Sequence, residues 1–230
     1  MKLRALPIVL LIAVAGCGSG KTADIPSGSG TTSASSQTTT AAAPSAPAGC
    51  KAVAKPKPKA DGKLKKPATK LDASKTWTAT VQTNCGTFAF KLDVKDAPNA
   101  SASIDYLAGK KFFDGTIFHR IVPGFVIQGG DPTQKGTGGP GYLTLDTPPA
   151  STRYTLGTVA MAKTQTQPPG TSGSQFFVVT GADAGLPADY AVVGHITSGL
   201  DVVKRIGKLG DQSEQPTATV EIQSLRVSSS

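Results

Sequence analysis

Three polar side chains interrupt the apolar strand-turn-strand stretch FHRIVPGFVIQGGD, Phe118–Asp131: His119, Arg120 and Gln128. A core strand can do without a guanidinium, and a surface strand does not need so many phenylalanines and isoleucines. Arg120 is therefore an accident, half of a structural ion pair, or a catalytic group. The other candidates exclude more chemistry than they supply. His119 and His195 are the only histidines, and neither has a Cys or a second His at metal-ligand spacing, which argues against a zinc site. Both fall in apolar strands, where a hydrogen-bonded structural histidine outweighs a histidine base serving a nucleophile. Gly136–Gly141 matches G-x-G-x-x-G, but a dinucleotide site needs a strand before the motif and a helix after it. Here Pro140 lies inside the motif and Tyr142–Leu145 reads as extended, so this is a glycine-rich loop. The chain has no G-x-x-x-x-G-K-[ST] and no G-x-S-x-G turn, and its acids form no obvious close pair. One arginine, glutamines and phenylalanines without an evident nucleophile or metal suit a reaction that cleaves no bond.

The elements that must position these residues begin at Trp77. TWTATVQ and TFAFKLDV alternate about an Asn84-Cys85-Gly86 turn and predict a hairpin. Asp96-Ala97-Pro98 opens a helix that runs to Gly109, with proline near its first position. FFDGTIFHRIV and FVIQG form strands about Pro123-Gly124, and a long Gly/Pro-rich loop follows. Short strands are expected near residues 158–162, 175–179 and 191–196, a helix over 200–208 and a last strand over 220–227. About eight short strands and two helices predict a mainly β fold, a closed antiparallel barrel capped by helices.

The chain has 230 residues and a net charge of +9. Residues 50–75 carry nine lysines against two aspartates, whereas residues 76–230 carry twelve Lys/Arg against twelve acids. The basicity sits outside the expected domain, so nucleic-acid binding by that domain loses its support. MKLRALPIVLLIAVAGC has a positive start, an apolar run and small residues, and reads as a signal peptide over residues 1–16, too short for a comfortable span. Val14-Ala15-Gly16-Cys17 resembles the lipobox of bacterial lipoproteins, which implies lipidation of Cys17 and an extracytoplasmic membrane anchor. An ordinary cleaved signal with an incidental cysteine is the alternative. Residues 17–49, rich in Ser, Thr, Ala, Gly and Pro, read as a flexible tether. Residues 50–75 read as a basic Lys/Pro spacer, either simply solvated or attracted to anionic head groups or wall polymers. An exported protein meets oxidising conditions, so Cys50 and Cys85 are expected to form a disulfide.

FHRIVPGFVIQGGD, GTGGPGY, VAMAK, GTSGSQFFVV and YAVVGHITSGLDVVKRI occur in that order. Together they resemble the cyclophilin family of peptidyl-prolyl cis-trans isomerases over residues 76–228. The resemblance implies an eight-stranded barrel capped by two helices. It also implies a catalytic Arg120, with Gln128 beside it and Phe125 and Val126 lining a proline pocket. Ala162 and Lys163 would border a peptide groove, and Gln175, Phe177, Leu186 and Tyr190 would complete its wall. No cofactor is implied. Prolyl rotation has a barrier of roughly 18–20 kcal/mol because amide resonance must be lost, and the half-rotated nitrogen regains a lone pair. A fixed guanidinium binds that twisted state better than either planar one. Lys163 stands where the family often has Asn, and TQTQPPGT adds residues at the groove rim. Gly185 stands where many eukaryotic members have Trp, which implies weak cyclosporin binding. The expected partners are proline-containing segments of exported proteins, and a monomer is expected. The alternatives are a proline-peptide-binding or chaperone module with weak or no isomerase activity, and an adhesion protein that uses its Lys/Pro stretch.

Overall fold

The computed structural model describes residues 46–230. The expected signal peptide, Cys17 and nearly all of the expected tether lie outside the described residues. In chain order the elements are β1 (Trp77–Thr83), β2 (Gly86–Leu92), α1 (Pro98–Gly109), β3 (Thr116–Val122), β4 (Val126–Asp131) and β5 (Thr144–Leu145). There follow β6 (Thr158–Met161), β7 (Thr171–Ser172), β8 (Phe176–Val179), β9 (Val192–Ser198), α2 (Leu200–Ile206) and β10 (Glu221–Ser229). Eight strands close into a barrel in the order β1-β10-β3-β4-β8-β6-β9-β2, and β5 pairs with β7 outside it. Every ladder is antiparallel.

Alternation explains the strands. In β1, Ala79, Val81 and Thr83 are buried while Thr80 and Gln82 between them are exposed. The barrel interior is filled by Phe88, Phe90, Phe118, Ile127, Met161, Phe176 and Val178. The wall made by β4, β8 and β6 is apolar on both faces. Phe176 and Val178 point inward, while Phe177 and Val179 join a second apolar cluster with Val126 and Ala160. That second cluster is where the sequence departs from a simple half-buried sheet.

Helix α1 begins on Pro98, whose missing N–H costs nothing at that position. Its next free donors, the N–H groups of Asn99 and Ala100, are taken by the Asp146 carboxylate at 3.2 and 2.6 Å. A buried anion from a distant loop thus does the work of a local capping side chain.

Residues 50–75 form no helix or strand, yet they lie against the barrel as a strap rather than standing off it as a spacer. Backbone N–H groups of Lys51, Lys59, Gly62 and Leu64 donate to the carbonyls of Asn84, Pro132, Gly139 and Pro140 at 2.7–2.9 Å. Leu64 and Leu71 pack on the core while the lysines stay exposed. These satisfied donors and buried leucines outweigh the mutual repulsion of the lysines. Cys50 and Cys85 are joined by a disulfide, which fixes the start of the strap to the β1–β2 turn.

Candidate active site

The β3–β4 hairpin sets the geometry. Its register places Arg120 directly opposite Gln128, so the two side chains share a face. Register shifts at Phe118–Arg120 re-aim the strand, so Phe118 and Ile121 fill the core while Arg120 and Val122 face outward. Arg120 Nη1 donates to Gln128 Oε1 at 3.4 Å, and Gln128 Nε2 donates to Gln175 Oε1 at 3.0 Å. Gln175 Nε2 in turn donates to the Gly138 carbonyl at 2.9 Å. On its other edge, Arg120 Nε donates to Glu214 Oε2 at 2.6 Å. Held at Nε and Nη1, the guanidinium leaves Nη2 with no partner among the described residues, free to serve an incoming acceptor.

The two ends of this chain have their own supports. Glu214 sits at φ +63°, a conformation that non-glycine residues seldom adopt, and its carbonyl accepts from the Ile121 N–H at 3.0 Å. The hydrogen bond from Arg120 holds the Glu214 carboxyl below the usual carboxylate range. At the far end, Gly138 is placed by Asp131. This buried carboxylate accepts from the N–H groups of Thr133 (2.7 Å), Lys135 (3.1 Å), Gly136 (2.5 Å) and Gly138 (3.2 Å), and from the Thr133 hydroxyl. Burial pushes the Asp131 carboxyl up, but these donors outweigh burial and its pKa falls below the ordinary value. A Cβ on Gly138 would lie 2.2 Å from Asp131 Oδ1, which is why the loop needs glycine there. His119 is the unpaired residue of the register shift between Phe118 and Arg120; it is half-buried, and neither ring nitrogen has a hydrogen-bond partner among the described residues, so the expected hydrogen-bonded structural histidine is not found. Burial lowers its pKa, helped by the charge of Arg120 and opposed by Asp131, so it is neutral at neutral pH.

The second apolar cluster lies beside this polar chain. Val126, Phe177, Phe125, Ala162, Leu186 and Tyr190 all belong to it, with Tyr154 as its floor. Tyr154 is fully buried; its hydroxyl donates to the Tyr190 carbonyl at 2.8 Å and accepts from the Tyr190 N–H at 2.9 Å. The Tyr190 ring meets Phe177 edge-on at 5.4 Å, so the pocket wall is held from below and from the side. Phe125 and Leu186 stay partly open to solvent.

The structure thus brings together Arg120, Phe125, Val126, Gln128, Ala162, Gln175, Phe177, Leu186 and Tyr190. Lys163 is placed at the rim but turned into the wall. Its side chain is 5% exposed, and its ammonium lies against the Gln167 and Thr164 carbonyls, 3.7 Å from Asp189 and over the Tyr190 ring. It fills space rather than presenting a charge to the groove. His195, expected to be a structural histidine within an apolar strand, is exposed on β9. It borders a small cleft with Asp93, Asp96 and Arg153, outside the site. Glu214, Asp131, Gly138 and Tyr154 escape the reading of the sequence. Asp131 ends the quoted motif and could have been found there; Glu214 lies in DQSEQP, a polar stretch 94 residues from Arg120 with no periodic signal.

A closed antiparallel barrel, with an apolar pocket and an anchored arginine on the outside of one wall, defines a prolyl isomerase of the cyclophilin fold class. The family model described as "Cyclophilin type peptidyl-prolyl cis-trans isomerase/CLD" matches residues 78–227. A peptidyl-prolyl cis-trans isomerase of Helicobacter pylori is 39% identical over 143 residues, 61% of this chain and 85% of that one. Peptidyl-prolyl cis-trans isomerase B of Bacillus subtilis is 40% identical over 118 residues, 51% of this chain and 80% of that one. Among solved structures, a cyclophilin-type isomerase of Cryptosporidium parvum superposes with a TM-score of 0.62 at 28% identity, covering 67% of this chain and 99% of its own. The chain belongs to the cyclophilin-type peptidyl-prolyl cis-trans isomerase family, and its activity is that of the family.

Proposed function

We propose that the protein accelerates X-Pro rotation in exported proteins, with Arg120 as the donor to the prolyl nitrogen and the Phe125–Val126–Phe177–Leu186–Tyr190 pocket as the holder of the ring. The observation that carries this reading is the placement of the Arg120–Gln128 pair beside an apolar cluster that the barrel core does not need. The planar amide nitrogen is a poor acceptor; the half-rotated nitrogen is a good one. A guanidinium already fixed by Glu214 and Gln128 stabilises only the second, so its interaction energy falls on the transition state. The uncatalysed rotation takes tens to hundreds of seconds, which leaves ample room for such an effect.

Arg120→Ala is expected to lower kcat/KM on a proline peptide by about 10²-fold or more while the circular dichroism spectrum and melting temperature stay unchanged. An unaltered rate in that variant would remove Arg120 from the mechanism. Peptide binding without rate acceleration by the parent protein would favour the holding or chaperone role instead. The leader and the Val14–Cys17 motif support a protein lipidated at Cys17 and held on the outer side of a cell membrane, where its substrates are proline-containing segments of newly exported chains.

A further inference from the structure

Beside Gln128 and Gln175 opens a cleft of about 530 Å³ whose far wall comes from outside the barrel. Asp61 and Gly62 of the strap line it, facing Ala162 and the Gly136–Leu143 loop. The strap and this loop are interlocked at backbone level. A Cβ on Gly62 would lie 2.6 Å from the Pro140 carbonyl oxygen, and one on Gly141, at φ +94°, would lie 2.5 Å from the Gly62 carbonyl oxygen. Asp61 Oδ1 accepts from the Gly139 N–H at 2.9 Å, and Oδ2 has no partner among the described residues. Only one other ionisable side chain apart from Tyr142 lines the cleft, Lys163, and its ammonium is taken up by the wall. Neither Lys63 nor Lys135 lines it. The free charge presented to the cleft is therefore negative, although the strap as a whole is basic.

We propose that the strap is the outer wall of the substrate groove, and that Asp61 makes this subsite select a cationic side chain a few residues from the isomerised proline. The proposal rests on the reading of the groove given above, because the cleft shares Gln128, Gln175 and Ala162 with it. An extended peptide advances about 3.3–3.6 Å per residue, so a proline seated at Phe125 and Phe177 carries a nearby side chain across Gln175 into the cleft. A lysine or arginine there lays its methylenes along Pro140 and Tyr142 and brings its charge to Asp61. A glutamate in the same place meets a like charge.

The test uses the full-length chain and a family of single-proline peptides with Lys, norleucine or Glu at each of the three positions on either side of the proline. Both kcat/KM and peptide Kd are measured, in wild type and in Asp61→Asn, which keeps an acceptor for the Gly139 N–H. At one position the wild type is expected to prefer Lys over Glu on the order of fivefold at low salt, and Asp61→Asn is expected to bring that ratio close to one. The same ratio in both proteins, or no charge preference at any position, overturns the proposal. Binding that retains the Asp61-dependent preference without turnover supports the subsite and overturns the Arg120 mechanism instead.

Discussion

Arg120 is useful only if its free edge points at the pocket, and two neighbours on different elements fix that direction. The hairpin turn at Pro123-Gly124 put Gln128 on the return strand, but its place beside Arg120 came only from the family resemblance; the observed register puts it opposite Arg120. Glu214 was not legible, since nothing in the local sequence of a loop announces which distant strand its side chain will meet. On the proposed mechanism, its short bond to Arg120 Nε and its unusual backbone give it a positioning role rather than a catalytic one. Glu214→Ala is expected to lower kcat by about tenfold with little change in KM, because a guanidinium that wanders misses the twisted state and not the ground state. Glu214→Gln, which keeps an acceptor, should recover part of the loss. The acid limb adds a second readout. Arg120 holds the Glu214 carboxyl below its ordinary value of 4.5, so its contribution is fully present above that pH and is lost as pH falls through the depressed pKa. Removing the carboxylate should abolish that part of the acid fall-off in kcat. A variant whose kcat and acid limb match the wild type would show that the ion pair only decorates the surface.

At the scale of elements, the strands and helices were readable wherever period 2 or period 3.6 was sustained, as in TWTATVQ and Leu200–Ile206. The two-residue strand β7 was not, because two residues carry no period, and β5 was read only as extended chain within Tyr142–Leu145. The strap was read as a spacer for the same kind of reason. Its lysines look solvated and they are, but what docks it are backbone N–H groups, which composition does not report. Gly141 gains a physical reason from this contact, and Gly138 from the Asp131 carboxylate. The Cys50–Cys85 bond closes a loop with a sequence separation of 35, and in the chain-entropy model that is worth about 3–4 kcal/mol. Denaturant unfolding of Cys50→Ser, or of the wild type in reductant, should lose about that much, with a melting temperature lower by roughly 10 °C. The variant's groove should also lose rigidity, since the disulfide holds one end of the strap whose other contacts form the rim. Identical unfolding curves with and without reductant would show that the bond contributes nothing beyond the docking of the strap.

The whole molecule is charged unevenly: a barrel region whose cations and acids balance, wrapped by a strap carrying nine lysines and two aspartates. Most of those lysines take no part in the groove, and they form a basic band downstream of residues 1–17, whose sequence reads as a leader ending in a lipobox-like motif. The two features reinforce each other physically. A lipobox cysteine is expected to carry a diacylated thiol, whose two chains suffice for a stable anchor, and a nearby basic segment adds roughly 1 kcal/mol per lysine close to an anionic surface. The anchor reading therefore has a test that leaves the catalytic domain alone. Cys17→Ser expressed in a bacterium that processes lipoproteins should lose incorporation of labelled palmitate and move from the membrane to the soluble extracytoplasmic fraction. The isolated variant should isomerise proline peptides at the wild-type rate, because the groove residues named above all lie within residues 61–214. Salt-sensitive binding of the isolated Cys17→Ser protein to anionic vesicles would show that the basic strap adds an electrostatic attraction to the acyl anchor. Membrane association of Cys17→Ser at the wild-type level, without label and insensitive to salt, would refute both the acyl anchor and the electrostatic contribution of the strap.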